Sequence, residues 1–122
     1  MPKATSPHTR SKCPVACTLD LVGDKWTLLV VRDLLLGKTR YGEFLETDEG
    51  IPTNILADRL KRLVSAGIVS KTAYQTNPPR YEYQLTKKGR DLGPVVVELV
   101  RWGEQHVRAA KASPKFNRKL LG

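Results

Sequence analysis

Between residues 50 and 86 the sequence changes its period, and that change limits the folds open to the chain. From 52 to 66 the apolar side chains Leu56, Leu60, Leu63 and Val64 recur at three- and four-residue steps, the spacing of a helix that buries one face. Asn54, Asp58, Lys61, Arg62 and Ser65 fall on the other side, and Gly67 supplies a stop. Two short segments follow, IVSKTAYQ and RYEYQLT, rich in β-branched and aromatic residues, with Tyr81, Tyr83 and Leu85 alternating against Glu82 and Gln84. Asn77-Pro78-Pro79 cannot continue a strand ladder, so it predicts the tip of a hairpin with Arg80 just beyond it. The pattern requires a half-buried helix with a basic hairpin beside it.

The flanking sequence supplies the helices that such a helix packs on. Pro14, followed by Val15, Leu19 and Val22, predicts a short first helix with proline in its first turn. Asp24 is placed to cap a second helix over 25–36, in which Trp26, Leu29, Val30 and Leu34 form the buried face. A third helix is expected over 40–47, burying Tyr41, Phe44 and Leu45, with the glycine-ended TDEG stretch as the turn that follows. Thr86 is the expected cap of one last helix reaching about residue 112, whose Leu92, Val95, Leu99, Trp102 and His106 make a seam for lengthwise packing. Val96, Val100 and Val107 widen that stripe beyond what so small an interior can absorb, which predicts burial against a second copy. Pro94 should bend this helix near its first turns or delay its regular start.

Composition narrows the function classes. A chain of 122 residues is one domain, expected over 13–112, between basic tails at 1–12 and 113–122. No apolar run approaches the roughly 18 residues that span a bilayer, and the start, MPKATSPHTRSK, has no apolar signal core; a cytoplasmic protein is the expectation. The net charge is +9, yet the body from 13 to 107 holds 13 basic and 12 acidic side chains. Within that body, 13–50 carries −3, 51–90 carries +6 and 91–107 carries −2. The basic excess therefore sits on the helix and hairpin, the arrangement expected of a polyanion partner. Solvated basic tails, by contrast, also serve solubility.

The order of four helices, two strands and a last helix is that of a helix-turn-helix with a wing, a mainly α fold with a small β-hairpin. In such a fold the fourth helix offers the N-terminal part of its polar face to base edges in the major groove of double-stranded DNA. Thr53, Asn54, Lys61 and Arg62 are then the groove-side candidates. Asn54 can pair bidentately with adenine, whereas Lys61 and Arg62, further along, suit phosphates. Arg80 and Lys71 on the hairpin suit a minor groove or phosphate. A solvated polar helix face has the same pattern when taken alone; the adjoining basic hairpin shifts the balance towards DNA.

The segments CPVACTLDLVG, GDKWTLLVVRDLLLGKTRYGEF, GIPTNILADRLKRLVSAGIV and NPPRYEYQLTKKGRDLGPVVVELVRWG, in this order and spacing over about residues 13–107, resemble the HxlR-type branch of the MarR-like winged-helix transcriptional regulators. The resemblance implies a homodimer built mainly from the first and last helices, which places Val15 and Leu19 in the interface with Leu92, Val95, Leu99, Trp102 and His106. It further implies a pseudo-palindromic DNA site and no catalytic activity; a dimeric DNA-binding regulator, expected to be a repressor, is the primary reading. By position the groove-reading helix falls on 52–66 and the wing arginine on Arg80, and Arg40, in an Arg-Tyr motif, is expected near the DNA backbone. Pro52 stands where serine is common in the family.

Two cysteines are too few for a disulfide scaffold or a zinc site. Cys13, just before Pro14, stands at the positive end of a helix dipole, which favours the anionic thiolate. Family members sense quinones, aldehydes or oxidants with a cysteine at this position, so the resemblance implies Cys13 as a candidate sensor and a small-molecule or redox effector as a candidate partner. Cys17, one turn on, is a second candidate; a bond between the two would distort the helix, so a link between subunits is the more reasonable pairing. Both can equally be small buried apolar residues. Trp26 and Trp102 are expected to pack in the core rather than line an effector pocket. His8 and His106 are assigned to no metal, and no cofactor is expected. A thiol redox protein using Cys13 and Cys17 is the competing enzyme reading, disfavoured because the spacing is not CXXC and no βαβ pattern accompanies it. A winged helix used for protein contacts alone is the other alternative.

Overall fold

The computed structural model describes residues 10–108, 110 and 111. In chain order they form α1 (Pro14–Val22), α2 (Thr27–Leu35), α3 (Tyr41–Phe44), α4 (Thr53–Ser65), β1 (Val69–Thr76), β2 (Pro79–Leu85), α5 (Lys87–Arg90) and α6 (Gly93–His106). Of the tails, residues 1–9 and 112–122 lie outside the described residues. Arg10 is tied to α1 by a 2.7 Å ion pair with Asp20.

α2 is the centre of the packing, touching α4, α6 and β2. Thr27, Val30, Val31 and Leu34 are its buried positions, with Asp33 among them; Trp26 and Leu29 are only half-buried. The buried face is broader than the expected stripe because neighbours lie on several sides of this helix. Its regular part starts two residues late, since residues 24–26 form a turn. The N-cap position is therefore Trp26 rather than Asp24, but the Asp24 carboxylate accepts the backbone N–H groups of Trp26 at 3.1 Å and Thr27 at 3.2 Å, as well as the Thr27 hydroxyl.

α4 lays Leu56, Leu60 and Leu63 into the core, and Val64 half-buried beside them. Its end is closed by Gly67 at φ +75°, with the Ile68 N–H donating to the Leu63 carbonyl and the Gly67 N–H to that of Val64, both at 3.0 Å. That paired closure needs a left-handed residue, which glycine adopts without a Cβ penalty. Arg59, on the border of the apolar stripe, ties α4 to the turn after α1. Its Nε lies 2.7 Å from Asp24 Oδ2, and a second arm of the guanidinium meets Asp58.

The strands pair antiparallel from Val69↔Leu85 to Thr76↔Pro79, with a bulge between Ala73 and Gln75. Pro79 therefore belongs to β2 rather than to the tip, at a strand's first residue where its missing N–H is tolerated. On the far edge of β2, Arg40 bridges Glu82, and the Tyr83 N–H donates to the Thr39 carbonyl at 2.7 Å. The hairpin is thus joined to the segment that opens α3. The third helix is a single turn, shorter than the expected 40–47, with Glu43 accepting the backbone N–H groups of Thr39 and Arg40 at 3.0 and 2.9 Å. Phe44 is fully buried and meets Tyr83 edge-on.

The single last helix expected from Thr86 to about residue 112 is two helices. Thr86 caps α5 through the Gly89 N–H at 3.2 Å, the chain breaks at Asp91 and Leu92, and α6 restarts with Pro94 in its first turn. Proline has no N–H for an i−4 bond, so the restart is where the sequence tolerates it. α6 ends at His106. Leu92, in the break, packs partly against the core. No helix among the described residues is long and apolar enough to cross a membrane.

α5 is pressed against the start of β1: the Thr86 hydroxyl donates to the Gly67 carbonyl at 2.6 Å, and a Cβ on Gly89 would stand 2.2 Å from the Ile68 carbonyl oxygen. Gly89→Ala should therefore cost about 1–3 kcal/mol, the range for overpacking, read as a lower midpoint in urea at unchanged m. A midpoint equal to the parent's would contradict the close approach.

Burial alone would push the Asp24 carboxyl up. Hydrogen bonds from the Thr27 hydroxyl, the Arg59 guanidinium and the Trp26 N–H, with the Arg59 charge, outweigh it and hold the pKa at about 2, below the ordinary 3.8. A carboxyl depressed on folding stabilises above its unfolded pKa and loses that contribution as pH falls, here between about 4 and 2. Asp24→Asn should melt lower than the parent at pH 7, with the gap closing over that window in a pH series of thermal melts. A gap independent of pH would rule out the charge as its source.

Candidate nucleic-acid interface

The face of α4 opposite its leucines is open. Thr53, Asn54, Lys61, Arg62 and Ser65 are exposed on it. Pro52 occupies the N-cap position in an extended conformation, and no side chain caps the helix. Backbone N–H groups of a helix's first turn have no acceptor within the helix and lie at the positive end of its dipole. Tyr41 fixes this end, donating its hydroxyl to the Thr53 carbonyl at 2.7 Å, so α3 holds the start of α4 directly. Arg62 is not a bare cation: its Nε lies 2.9 Å from Asp58 Oδ2, one turn back, with both side chains well exposed. Lys61, also exposed, has no such pair among the described residues.

The hairpin carries the other candidates. Arg80 is exposed in β2 beside the tip and pairs with Gln75 across the ladder; the Gln75 amide closes the tip on the Pro78 carbonyl at 3.1 Å. Lys71 is nearer the base, opposite Tyr83, with its ammonium 4.2 Å from the centre of the Tyr81 ring. Arg40 is brought to the hairpin by its bridge to Glu82. The groove-side residues therefore share one helix face, whereas Arg40, Lys71 and Arg80 are distributed from the base to the tip of the hairpin.

Four charged side chains that position this surface were not singled out from the sequence. Arg59 is 14% exposed and faces Asp24 rather than solvent. Its signal was its place three residues after Leu56 and four before Leu63, on the margin of the buried stripe. Asp33 is 4% exposed and meets Arg32 at 2.9 Å; burial pushes its carboxyl up against the opposing pull of Arg32. Arg32 also makes a bidentate pair with Glu49 at 3.0 and 2.9 Å, pinning the turn before α4 to α2. Its hydrogen bonds hold the Glu49 carboxyl down, although burial acts the other way. Nothing in the local spacing links positions 32 and 49, so only the tertiary structure reveals that clamp.

Apolar side chains are open on two other helices. Val15 and Leu19 on α1, and Val95, Leu99 and Trp102 on α6, are all exposed, Trp102 at 63% with its ring against that of His106. The expectation that Trp102 packs in the core is thus overturned, because its face of α6 turns away from α2, while Val96 on the adjoining face is buried. Trp26 does pack against the core. A cleft of about 630 Å³ opens between α2, the 46–49 turn and α6, lined by both signs of charge, including Arg32, Lys38, Glu46 and Lys111, and by Leu99. Cys13 is exposed at the N-cap of α1, with its N–H on the Ser11 hydroxyl, and Cys17 is half-buried, its thiol donating to the Ser11 carbonyl at 3.3 Å. Among the described residues there is no cluster suited to a metal ion.

Known proteins share this architecture. An uncharacterized HTH-type transcriptional regulator of Mycobacterium tuberculosis is 39% identical over 100 residues, 82% of this chain and 63% of its own length. The chain thus spans less than two thirds of that relative. Among solved structures, PA1607 superposes with a TM-score of 0.76 at 42% identity, covering 87% of this chain and 73% of that one. The redox regulator HypR in its oxidized form superposes with a TM-score of 0.70 at 38% identity, covering 77% and 97%. The relatives are regulators rather than enzymes, in keeping with the reading of the cysteines as something other than a catalytic pair. With the HxlR-like helix-turn-helix profile matching residues 21–111, the chain belongs to that family.

Proposed function

We propose that this protein is a DNA-binding transcriptional regulator that acts as a homodimeric repressor on a pseudo-palindromic duplex site. The observation that carries the reading is the uncapped, exposed face of α4, held by Tyr41 and Arg59 beside a basic hairpin. Asn54 reads a base edge, Thr53 and the first-turn N–H groups engage the backbone or a base, and Lys61, Arg62, Lys71, Arg80 and Arg40 neutralise phosphates. The single domain over 13–112 belongs to the same reading. The exposure of Val15 and Leu19 on α1 and of Val95, Leu99 and Trp102 on α6 supports assembly, since large apolar side chains left open on a helix face are of the kind that marks protein contacts. The cytoplasm is the compartment that fits such a partner.

Cys13 is the candidate through which an oxidant or electrophile acts. Its support is its exposure at a helix N-cap, together with the redox regulation named for HypR. Cys17, half-buried and bonded to the Ser11 carbonyl, is the less accessible thiol.

Asn54→Ala should weaken binding to the preferred duplex by about 1–3 kcal/mol per half-site and relax preference at one base pair in each, whereas Arg80→Ala should weaken all duplexes alike and flatten the log K against log salt slope by about 1.8, one phosphate from each subunit. Fluorescence anisotropy on preferred and scrambled duplexes separates the two. Equal losses on both duplexes for Asn54→Ala would remove it from the groove face. Leu99→Lys with Trp102→Glu should leave the subunit folded, because both side chains are exposed, but yield monomers in sedimentation with a matching loss of duplex affinity. A fully active monomer would contradict the assembly reading.

A further inference from the structure

The bulge in β1 has a consequence for Arg40. The ladder pairs Ala73 with Tyr81 and Gln75 with Arg80, so Tyr74 is the extra residue with no partner of its own. A bulge re-aims the side chain it carries and increases the local twist. Here the ring of Tyr74 lies under the Arg40 guanidinium, whose central carbon is 3.9 Å from the ring centre. Arg40 belongs to the opposite edge of β2, where it bridges Glu82, so its side chain reaches across β2 to make this stack. Its Nε also points at Glu82 Oε2, 3.4 Å away. The guanidinium is therefore held on one face by a ring and at Nε by a carboxylate, while the side chain remains half-exposed.

We infer that Tyr74 and Glu82 are positioning residues that aim the Nη edge of Arg40 at a phosphate of bound DNA. The inference rests on the DNA-binding reading above. Among the described residues the two Nη groups meet no acceptor, and their paired N–H groups form the fork that fits a phosphate. An exposed arginine ordinarily loses several free torsions when it engages a phosphate, and a guanidinium already stacked and oriented has lost them beforehand. The same stack fixes the hairpin to the segment opening α3, and α3 in turn holds the start of α4 through Tyr41. The ring at position 74 therefore sets one backbone contact and the relative placement of wing and groove helix together. The phenol hydroxyl has no part in this, which makes phenylalanine an adequate replacement.

The test compares the parent, Tyr74→Phe, Tyr74→Leu, Arg40→Ala and the Tyr74→Leu/Arg40→Ala double variant on a duplex selected by the parent from random sequence, over a series of salt concentrations. Tyr74→Phe should bind within twofold of the parent and Tyr74→Leu about fivefold to tenfold more weakly. Arg40→Ala should lose at least as much and flatten the salt slope by about 1.8, the share of one phosphate from each subunit. The double variant should be no weaker than Arg40→Ala alone, since residues acting through one contact are non-additive. In the free proteins, the Arg40 Nε–H resonance should be shifted by the ring current in the parent and Tyr74→Phe and unshifted in Tyr74→Leu. Parent-like binding by Tyr74→Leu, fully multiplying losses in the double variant, or an unshifted Nε–H in the parent would each overturn the inference while leaving DNA binding intact. A parent that binds no duplex at any salt concentration would overturn the DNA-binding reading and this inference with it.

Discussion

Everything on the outer surface depends on one buried feature, the seating of Leu56, Leu60 and Leu63 of α4 in the core, where α4 meets α2 and β1. Full burial of each such side chain is worth about 1.5–3 kcal/mol, enough that α4 has a single rotational setting about its axis. Once the leucines are in, Asn54, Lys61 and Arg62 have to be out. Ion pairs then refine the setting: Arg59 to Asp24 fixes the middle of α4, and Arg32 to Glu49 fixes the turn before it. These pairs are best understood as steering rather than as main contributors to stability, since partly exposed pairs add little.

The hairpin is held by a different principle. Its base belongs to the core through Val69, Tyr83 and Leu85, but its outer half has no apolar support and is exposed along both strands. What restrains it is polar and aromatic: the bridge between Arg40 and Glu82, the backbone bond from Tyr83 to Thr39, and the stack on Tyr74. An element anchored at one end and restrained by exposed contacts has the low local stability that allows small adjustment when a partner binds.

Periodicity made the helix order, the stripe of α4 and the hairpin legible in the sequence, because those elements have one buried face and one open face. It was least informative where tertiary contacts override local pattern. α2 is surrounded, so its buried set includes Thr27 and Asp33. The last helix looked continuous because Leu92 fits both a seam and a core position, and the packing of Leu92 on the core accompanies a break there. Trp102 was legible as apolar and fitted both a core and a seam position, since a stripe does not say whether its partner is the same chain. The groove-side candidates could be picked out by type and face, whereas the groups that orient them, Tyr41, Arg59 and Tyr74, act across separations of 12 to 35 residues that no local window spans.

The central claim is that two copies of the α4 and hairpin surface, joined through α1 and α6, engage one duplex. The most direct measurement is selection of bound sequences from a random duplex pool by the full chain, with the winning duplex then titrated over a range of salt concentrations. The account predicts enrichment of an inverted repeat with half-site centres about 10–10.5 base pairs apart, or a multiple of that, and a clearly negative slope of log K against log salt. Failure to enrich any sequence, or a single unrepeated half-site bound with no salt dependence, would contradict it.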